Sequence, residues 1–295
     1  MKNVKLSRRS FIGGTAALAA TSMMPNFANA AKLNSKFNGV QIGTTTYSYR
    51  SMSGKSAEHM LKYITQCGIS SVELQAKPAE QYVRIYAKTH AGADPMDGFK
   101  ALRKLYNDAG VNIHILRVGN IGVKAMSEKR IEWYFNAAKA LGAKGIAREL
   151  NRDVAKRLGP IADKHKIMIG FHNHTKNIKP DTYDGDILSY GKYLGIQLDV
   201  GHYVAGTGQS PIPIIEKHHD RILALHLKDR KNKKNEGTNM PFGQGDTDLV
   251  GILQLMKKKK MTFPADIELE YKIPKGSNAV KEVTKCVQYC KKALA

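Results

Sequence analysis

Histidines and carboxylates recur near the ends of short apolar runs throughout this chain. The runs include Val72-Glu73-Leu74-Gln75, Arg148-Glu149 and Phe171-His172-Asn173-His174, then Leu198-Asp199-Val200-Gly201-His202. Leu225-His226-Leu227-Lys228-Asp229 and Ile267-Glu268-Leu269-Glu270-Tyr271 follow. A buried charge costs several kcal/mol unless it is paired or bound to a metal. One such residue is readily structural. Four successive runs offering His172, Asp199, His226 and Glu268 instead point to a mixed nitrogen and oxygen site for one divalent metal ion. That donor set suits Mn²⁺, Zn²⁺, Co²⁺ or Fe²⁺, and Mg²⁺ less well. The two-residue repeat of a strand puts His172 and His174 on one face, and Glu268 and Glu270 on another. It leaves open which glutamate is the ligand.

The runs are the β-rich halves of an alternating pattern. Strands are expected at Val40–Tyr47, Ser71–Gln75, Val111–Arg117 and Gly145–Glu149, then at Ile167–Asn173, Ile196–Val200, Ile222–Leu227 and Ala265–Tyr271. Amphipathic stretches separate them, at Ser56–Cys67, Asp97–Ala109, Ser127–Leu141, Asn151–His165, Asp186–Leu194, Pro211–His218, Thr247–Lys259 and Asn278–Leu294. Gly68, Gly110, Gly142 and Gly195 close four of these helices, as the left-handed residue that ends a helix requires. Continuous apolar strands alternating with helices make a parallel sheet covered on its faces. Eight of each give an α/β fold, a single (β/α)₈ TIM barrel, with its chemistry at the C-terminal strand ends. No Pro/Ser-rich linker divides the body, so residues 31–295 read as one domain.

Residues 1–30 read as an address. Ser7-Arg8-Arg9-Ser10-Phe11-Ile12 leads into a short apolar stretch, and Ala28-Asn29-Ala30 offers a cleavage site. This is the pattern of an export signal of the twin-arginine class, cleaved near Ala30, and it implies a periplasmic destination. The chain has 47 Lys and Arg against 25 Asp and Glu, a formal charge of +22. Only Lys2, Lys5, Arg8 and Arg9 of these lie before Lys32, so the basic excess belongs to the body. Such an excess suits anionic partners. A 42% hydrophobic content is too high for a disordered chain. No apolar run reaches eighteen residues, so no transmembrane anchor is expected. Cys286 and Cys290 are spaced i,i+4 on one expected helix and are poorly set for a bridge. With Cys67 they read as small buried hydrophobes.

Five strings in order resemble the xylose isomerase-like barrel superfamily, that of the sugar phosphate isomerases and epimerases. They are Gly170-Phe171-His172-Asn173-His174, Leu198-Asp199-Val200-Gly201-His202, Leu225-His226-Leu227-Lys228-Asp229, Gly243-Gln244-Gly245-Asp246-Thr247-Asp248 and Ile267-Glu268-Leu269-Glu270-Tyr271. The resemblance implies Asp199, His226 and Glu268 as metal ligands and His202 beside the substrate. It departs at strand five, where the ketose 3-epimerases have Leu-Glu-Asn and this chain has Phe171-His172-Asn173. A histidine thus stands in place of the first catalytic carboxylate. Thr175-Lys176-Asn177 also lacks the glutamate that many His-Asn-His members carry. His172 remains as a ligand, and His174, Glu149 or Glu270 as the second acid or base.

The resemblance implies proton abstraction by a carboxylate such as Glu268, next to the carbonyl of a keto-sugar or 3-keto-glycoside, giving epimerisation, isomerisation or elimination. Tyr47, Glu73, His202 and Lys228 are the expected substrate contacts. Glu73 has a second option as an ion-pair partner of Arg117, and Tyr47 as rim packing. Two other classes compete. One is a non-catalytic sugar-binding barrel with a decayed site. The other is a metal-dependent nuclease of the apurinic endonuclease type, for which Lys228–Lys234 and Lys257–Lys260 would be phosphate contacts. The strand-end inventory favours the sugar over nucleic acid. Oligomeric state is left open, a homo-oligomer included.

Overall fold

The computed structural model describes residues 33–295, so the export signal expected over residues 1–30 lies outside the described residues. Eleven strands appear: β1 (Lys36–Phe37), β2 (Val40–Thr45), β3 (Ser71–Gln75), β4 (Asn112–Arg117), β5 (Gly145–Glu149), β6 (Met168–His172), β7 (Leu194–Asp199), β8 (Ile222–Leu227), β9 (Asp229–Arg230), β10 (Asn239–Met240) and β11 (Ala265–Ile267). β2 to β8 and β11 are parallel neighbours in the order β2-β11-β8-β7-β6-β5-β4-β3, and a β2–β3 pairing closes the ring. The expected eight-stranded α/β barrel is therefore the fold. β1 adds antiparallel to β2, and β9 and β10 form a small hairpin on the loop after β8.

Among the described residues nine α-helices cover the barrel: α1 (Ala57–Gln66), α2 (Ala76–Thr89), α3 (Pro95–Asp108), α4 (Glu128–Leu141), α5 (Arg152–His165), α6 (Val200–Thr207), α7 (Ile212–Lys217), α8 (Leu249–Lys258) and α9 (Ala279–Leu294). Their starts follow local capping chemistry. Ser56, Asp94, Ser127, Asn151, Asp248 and Asn278 each accept a hydrogen bond from a first-turn backbone N–H. Gly68, Gly110 and Gly142 take the expected left-handed conformation.

Four expectations are corrected. α2 is an additional helix, with a polar sequence and Pro78 in its first turn where the missing N–H costs nothing. The expected helix over Asp186–Leu194 shrinks to a 3-10 turn at Asp186–Leu188, and a helix follows β7 instead, at α6. Gly195 consequently lies inside β7 rather than after a helix. It is small because a Cβ there would meet the Arg221 carbonyl and the Met168 sulfur at 2.5 Å each. The strand bearing Glu268 also ends early, at Ile267, so its two glutamates leave the ladder at the mouth.

Inside the ring, Ile115, Ala147, Leu223 and Ala224 with Met168 form an apolar plug distinct from the outer strand–helix core. Gly145 and Gly170 make room for Leu223: a Cβ on Gly170 would lie 2.8 Å from Leu223 Cδ2. The three cysteines are buried and free. Lys257 and Lys260, with His114 and Lys144, line a cavity of about 600 Å³ at the N-terminal strand ends, away from the C-terminal mouth. Among the described residues no helix is long and apolar enough to cross a membrane.

Candidate active site at the C-terminal mouth

Strand register assembles the polar groups. Glu149 stands beside His172, His172 beside Gln197, and Asp199 beside His226, across β5 to β8. Glu268 follows β11, the next strand round the ring. One ligand atom each from His172, Asp199, His226 and Glu268 lies within 4.8 Å of the others, and all four residues are buried. Groups about 2.0–2.2 Å from one metal ion stand roughly 3–4 Å apart, so a small contraction would close this quartet on a single ion.

Two observations fit such an ion. His172 Nδ1 and Asp199 Oδ2 are buried atoms without a hydrogen-bond partner. Burial, with the charges of Arg117 and His226, holds the His172 imidazole well below its ordinary pKa, hence neutral and able to donate a lone pair. Asp199 divides its labour. Its Oδ1 caps α6 by accepting from His202 N–H at 2.6 Å, leaving Oδ2 for the mouth. Asn173 fixes the aspartate's backbone, giving a hydrogen bond to its carbonyl at 3.1 Å and accepting one from its N–H at 2.9 Å.

His226 lies between two carboxylates, Glu268 at 3.2 Å from Nδ1 and Glu73 at 3.1 Å from Nε2. Burial opposes a charge there, but Glu268 and Glu73 outweigh it and raise the imidazole pKa well above normal. Burial likewise pushes the Glu268 carboxyl up, and Lys228 and His226 overcome that and hold it well down. The Lys228 ammonium is 2.9 Å from Asp199 Oδ2, 2.7 Å from Glu268 Oε2 and 2.7 Å from Glu270 Oε2. Asp199 Oδ2 faces that ammonium as an ion pair without the geometry of a hydrogen bond.

Around this centre lie the more open groups. Half-exposed His174 shares a hydrogen bond with Glu149 Oε2 at 2.6 Å, and that bond raises the histidine's pKa. Its ring centroid is 4.9 Å from those of both His172 and His202. Arg117 pairs with Glu149 on the other side. Burial lowers the His202 pKa to about 4, with Lys228 and Arg230 adding to it against Asp199. His202 Nε2 accepts from Lys228 Nζ at 3.1 Å.

A family model described as the xylose isomerase-like TIM barrel matches residues 61–290. The chain belongs to the xylose isomerase-like TIM barrel family. Within it, 80 residues are 31% identical to the inosose dehydratase of Salmonella typhimurium, covering 26% of each chain. A longer segment of 131 residues is 25% identical to the inosose dehydratase of Clostridium perfringens, covering 43% of this chain and 40% of that one. The matched segments thus span less than half the length of these relatives. Among solved structures, a probable 3-DHS dehydratase from Bacillus anthracis superposes with a TM-score of 0.65 at 15% identity, over 84% of this chain and 98% of that one. The 3-keto-D-glucoside 4-epimerase of E. coli gives 0.61 at 13% identity, over 86% and 99%. These structural likenesses are of fold.

One expected substrate contact, Glu73, sits differently from expectation. Glu73 lies fully buried beneath the mouth, accepting from Thr45 Oγ1 at 3.2 Å and braced by Gln197 and His226. It orients His226 and does not face the opening, and Arg117, the partner named as its second option, is 3.8 Å away. Tyr47 follows β2 on a 3-10 turn with its ring exposed under the Arg50 guanidinium, 4.6 Å from the centroid. Gln197 and Asp266 went unnamed in the sequence. Gln197 wedges between Glu73, His226 and Arg117. Asp266 accepts from His114 Nε2 at 2.7 Å and groups with Glu73 around His226, the residue it shares with the quartet. Their positions two residues before Asp199 and Glu268 were the available signal, because each shares the inward face of its neighbour.

Proposed function

We propose that the chain is a divalent-metal-dependent isomerase or carbon–oxygen lyase that removes a proton next to the carbonyl of a keto-sugar or 3-keto-glycoside. The observation that carries this is the buried His172, Asp199, His226 and Glu268 quartet, beside the half-exposed His174–Glu149 pair. A divalent ion held by the four residues would polarise the carbonyl and acidify the adjacent C–H. The strand order puts Glu149 and His174 at one end of the arc of ligands and the glutamates after β11 at the other. An acid and a base therefore flank any substrate between them.

Glu268 belongs to the quartet, whereas Glu270 stands outside it and is partly open. Glu270 takes the C–H proton. Lys228 and neutral His202 bind substrate oxygens. His174, whose pKa the hydrogen bond to Glu149 raises, gives its proton to the leaving oxygen, so water or an alcohol departs as the C=C bond forms. A cavity of about 360 Å³ on the same rim, lined by Gln75, Lys77, Glu80, Arg117 and Asn120, suits the hydroxyls of the remaining sugar. The likeness of two segments to inosose dehydratases supports the elimination outcome.

Incubation of the metal-loaded protein with a 3-keto-glycoside in D₂O tests the reaction. Release of the leaving group with formation of an enone supports elimination. Deuterium uptake without release makes the enzyme an epimerase or isomerase, and neither event removes the proposal. Replacing Glu270 by Gln should lower kcat about 10²-fold or more with metal content unchanged, and replacing Glu268 by Gln should lose the metal. We also infer from residues 1–30 that the protein is exported to the periplasm, for which fractionation of wild type and an Arg8→Lys/Arg9→Lys variant is the test.

A further inference from the structure

Lys228 is 2% exposed, a rare condition for lysine. Gly201 opens its path, since a Cβ there would lie 2.5 Å from the lysine carbonyl oxygen and 2.9 Å from its Cβ. The ammonium ends among four acceptors: Asp199 Oδ2, Glu268 Oε2, Glu270 Oε2 and His202 Nε2. An ammonium has only three N–H groups, and Asp199 Oδ2 is the one of the four that it faces as an ion pair without a hydrogen bond. Two of the four are oxygens of the candidate metal quartet, and two lie outside it.

We propose that Lys228 is a resident counter-cation which neutralises Asp199 and Glu268 in the metal-free protein, yields both to an incoming divalent ion, and stays held by Glu270 and His202. This rests on the metal reading above and adds a role for the lysine to it. A metal ion and an ammonium cannot both sit against the same two oxygens without strong like-charge repulsion. The side chain has a second set of acceptors to which it can retreat without leaving the interior. A buried carboxylate pair stripped of both cations would be destabilised, so the lysine keeps the empty site folded. Binding then carries the cost of displacing it, which weakens apparent metal affinity.

The test compares wild type with Lys228→Met and with Lys228→Gln, the latter retaining a polar donor should the first fail to fold. Each is stripped with EDTA, desalted and titrated with Mn²⁺ alone by calorimetry, and melted with and without the ion. The expected pair of results has opposite signs. The variants bind Mn²⁺ roughly tenfold or more tightly, and their metal-free Tm falls by about 5 °C and recovers on adding Mn²⁺. Unchanged or weaker Mn²⁺ binding in folded variants that still melt lower makes Lys228 merely structural and overturns the proposal. Tighter binding with no loss of metal-free Tm makes it a bystander charge and also overturns it. If wild type takes no Mn²⁺ and the variants do, displacement is supported while native metal dependence fails. If none binds, both readings fall.

Discussion

At His226 one imidazole serves two carboxylates, and the proton it holds is the one a metal must displace. Its pKa is raised well above the ordinary histidine value, chiefly by Glu268 and Glu73 against the opposing effect of burial. A raised value means that the proton stays bound to higher pH than on a free histidine. Metal uptake must therefore release it, and affinity must increase with pH across the neutral range. Calorimetry of Mn²⁺ binding in buffers of different ionisation enthalpy would report that release. Replacing Glu73 by Gln should weaken the pH dependence, because one of the two charges holding the proton is gone. At the other histidine, His172, burial keeps the ring neutral, so it adds no competing proton.

Among the elements, α9 is tied to the mouth by one acid. Glu282 is buried on that helix and accepts from Tyr271 Oη at 2.9 Å, from Lys285 Nζ at 2.7 Å and from Ser277 Oγ at 2.5 Å. Tyr271 closes the run that begins with Glu268, so this contact anchors the segment bearing both glutamates. Burial raises the Glu282 carboxyl, but its three donors outweigh that and lower it below the ordinary 4.5. Its stabilisation is thus complete above that value and fades as pH falls through the lower folded one. Replacing Glu282 by Ala leaves the buried Tyr271 hydroxyl only the weak Cys286 thiol as a partner and should cost about 2 kcal/mol in urea unfolding at neutral pH. The loss should shrink at pH 3. α6 shows the same economy, since the aspartate that caps it also belongs to the candidate site.

For the whole molecule, the barrel is a stack of layers: an apolar plug below, a buried polar layer of Glu73, Gln197, His226 and Asp266, and the mouth above. The plug depends on Leu223 passing over Gly145 and Gly170. Replacing Gly170 by Val forces a branched side chain into that contact and should destabilise the fold by about 1–3 kcal/mol, read as a lower urea midpoint with an unchanged slope. One of the two basic runs lies away from the mouth. Lys257 and Lys260 line the cavity at the N-terminal ends, the rim away from the proposed chemistry, so this run does not ring the candidate site.

The order of strands, and the polar residue that ends each, followed from the sequence because apolar runs and two-residue alternation are local properties. Asp199, His226 and Glu268 could be named that way, and so could the barrel that gathers them. Helices α2 and α6 could not: a polar stretch with Pro78, and a short one holding Gly201 and Gly206, lack the strong apolar stripe that marks a helix locally. Ring closure and register were needed to put Glu73 beneath His226 rather than facing the mouth. They also brought Lys228 onto carboxylates from two other strand ends. Residue type and spacing determine which groups can meet inside a barrel. Which carboxylate shares a proton or a cation with which partner depends on distances across strands far apart in the chain, and only the tertiary structure decides those.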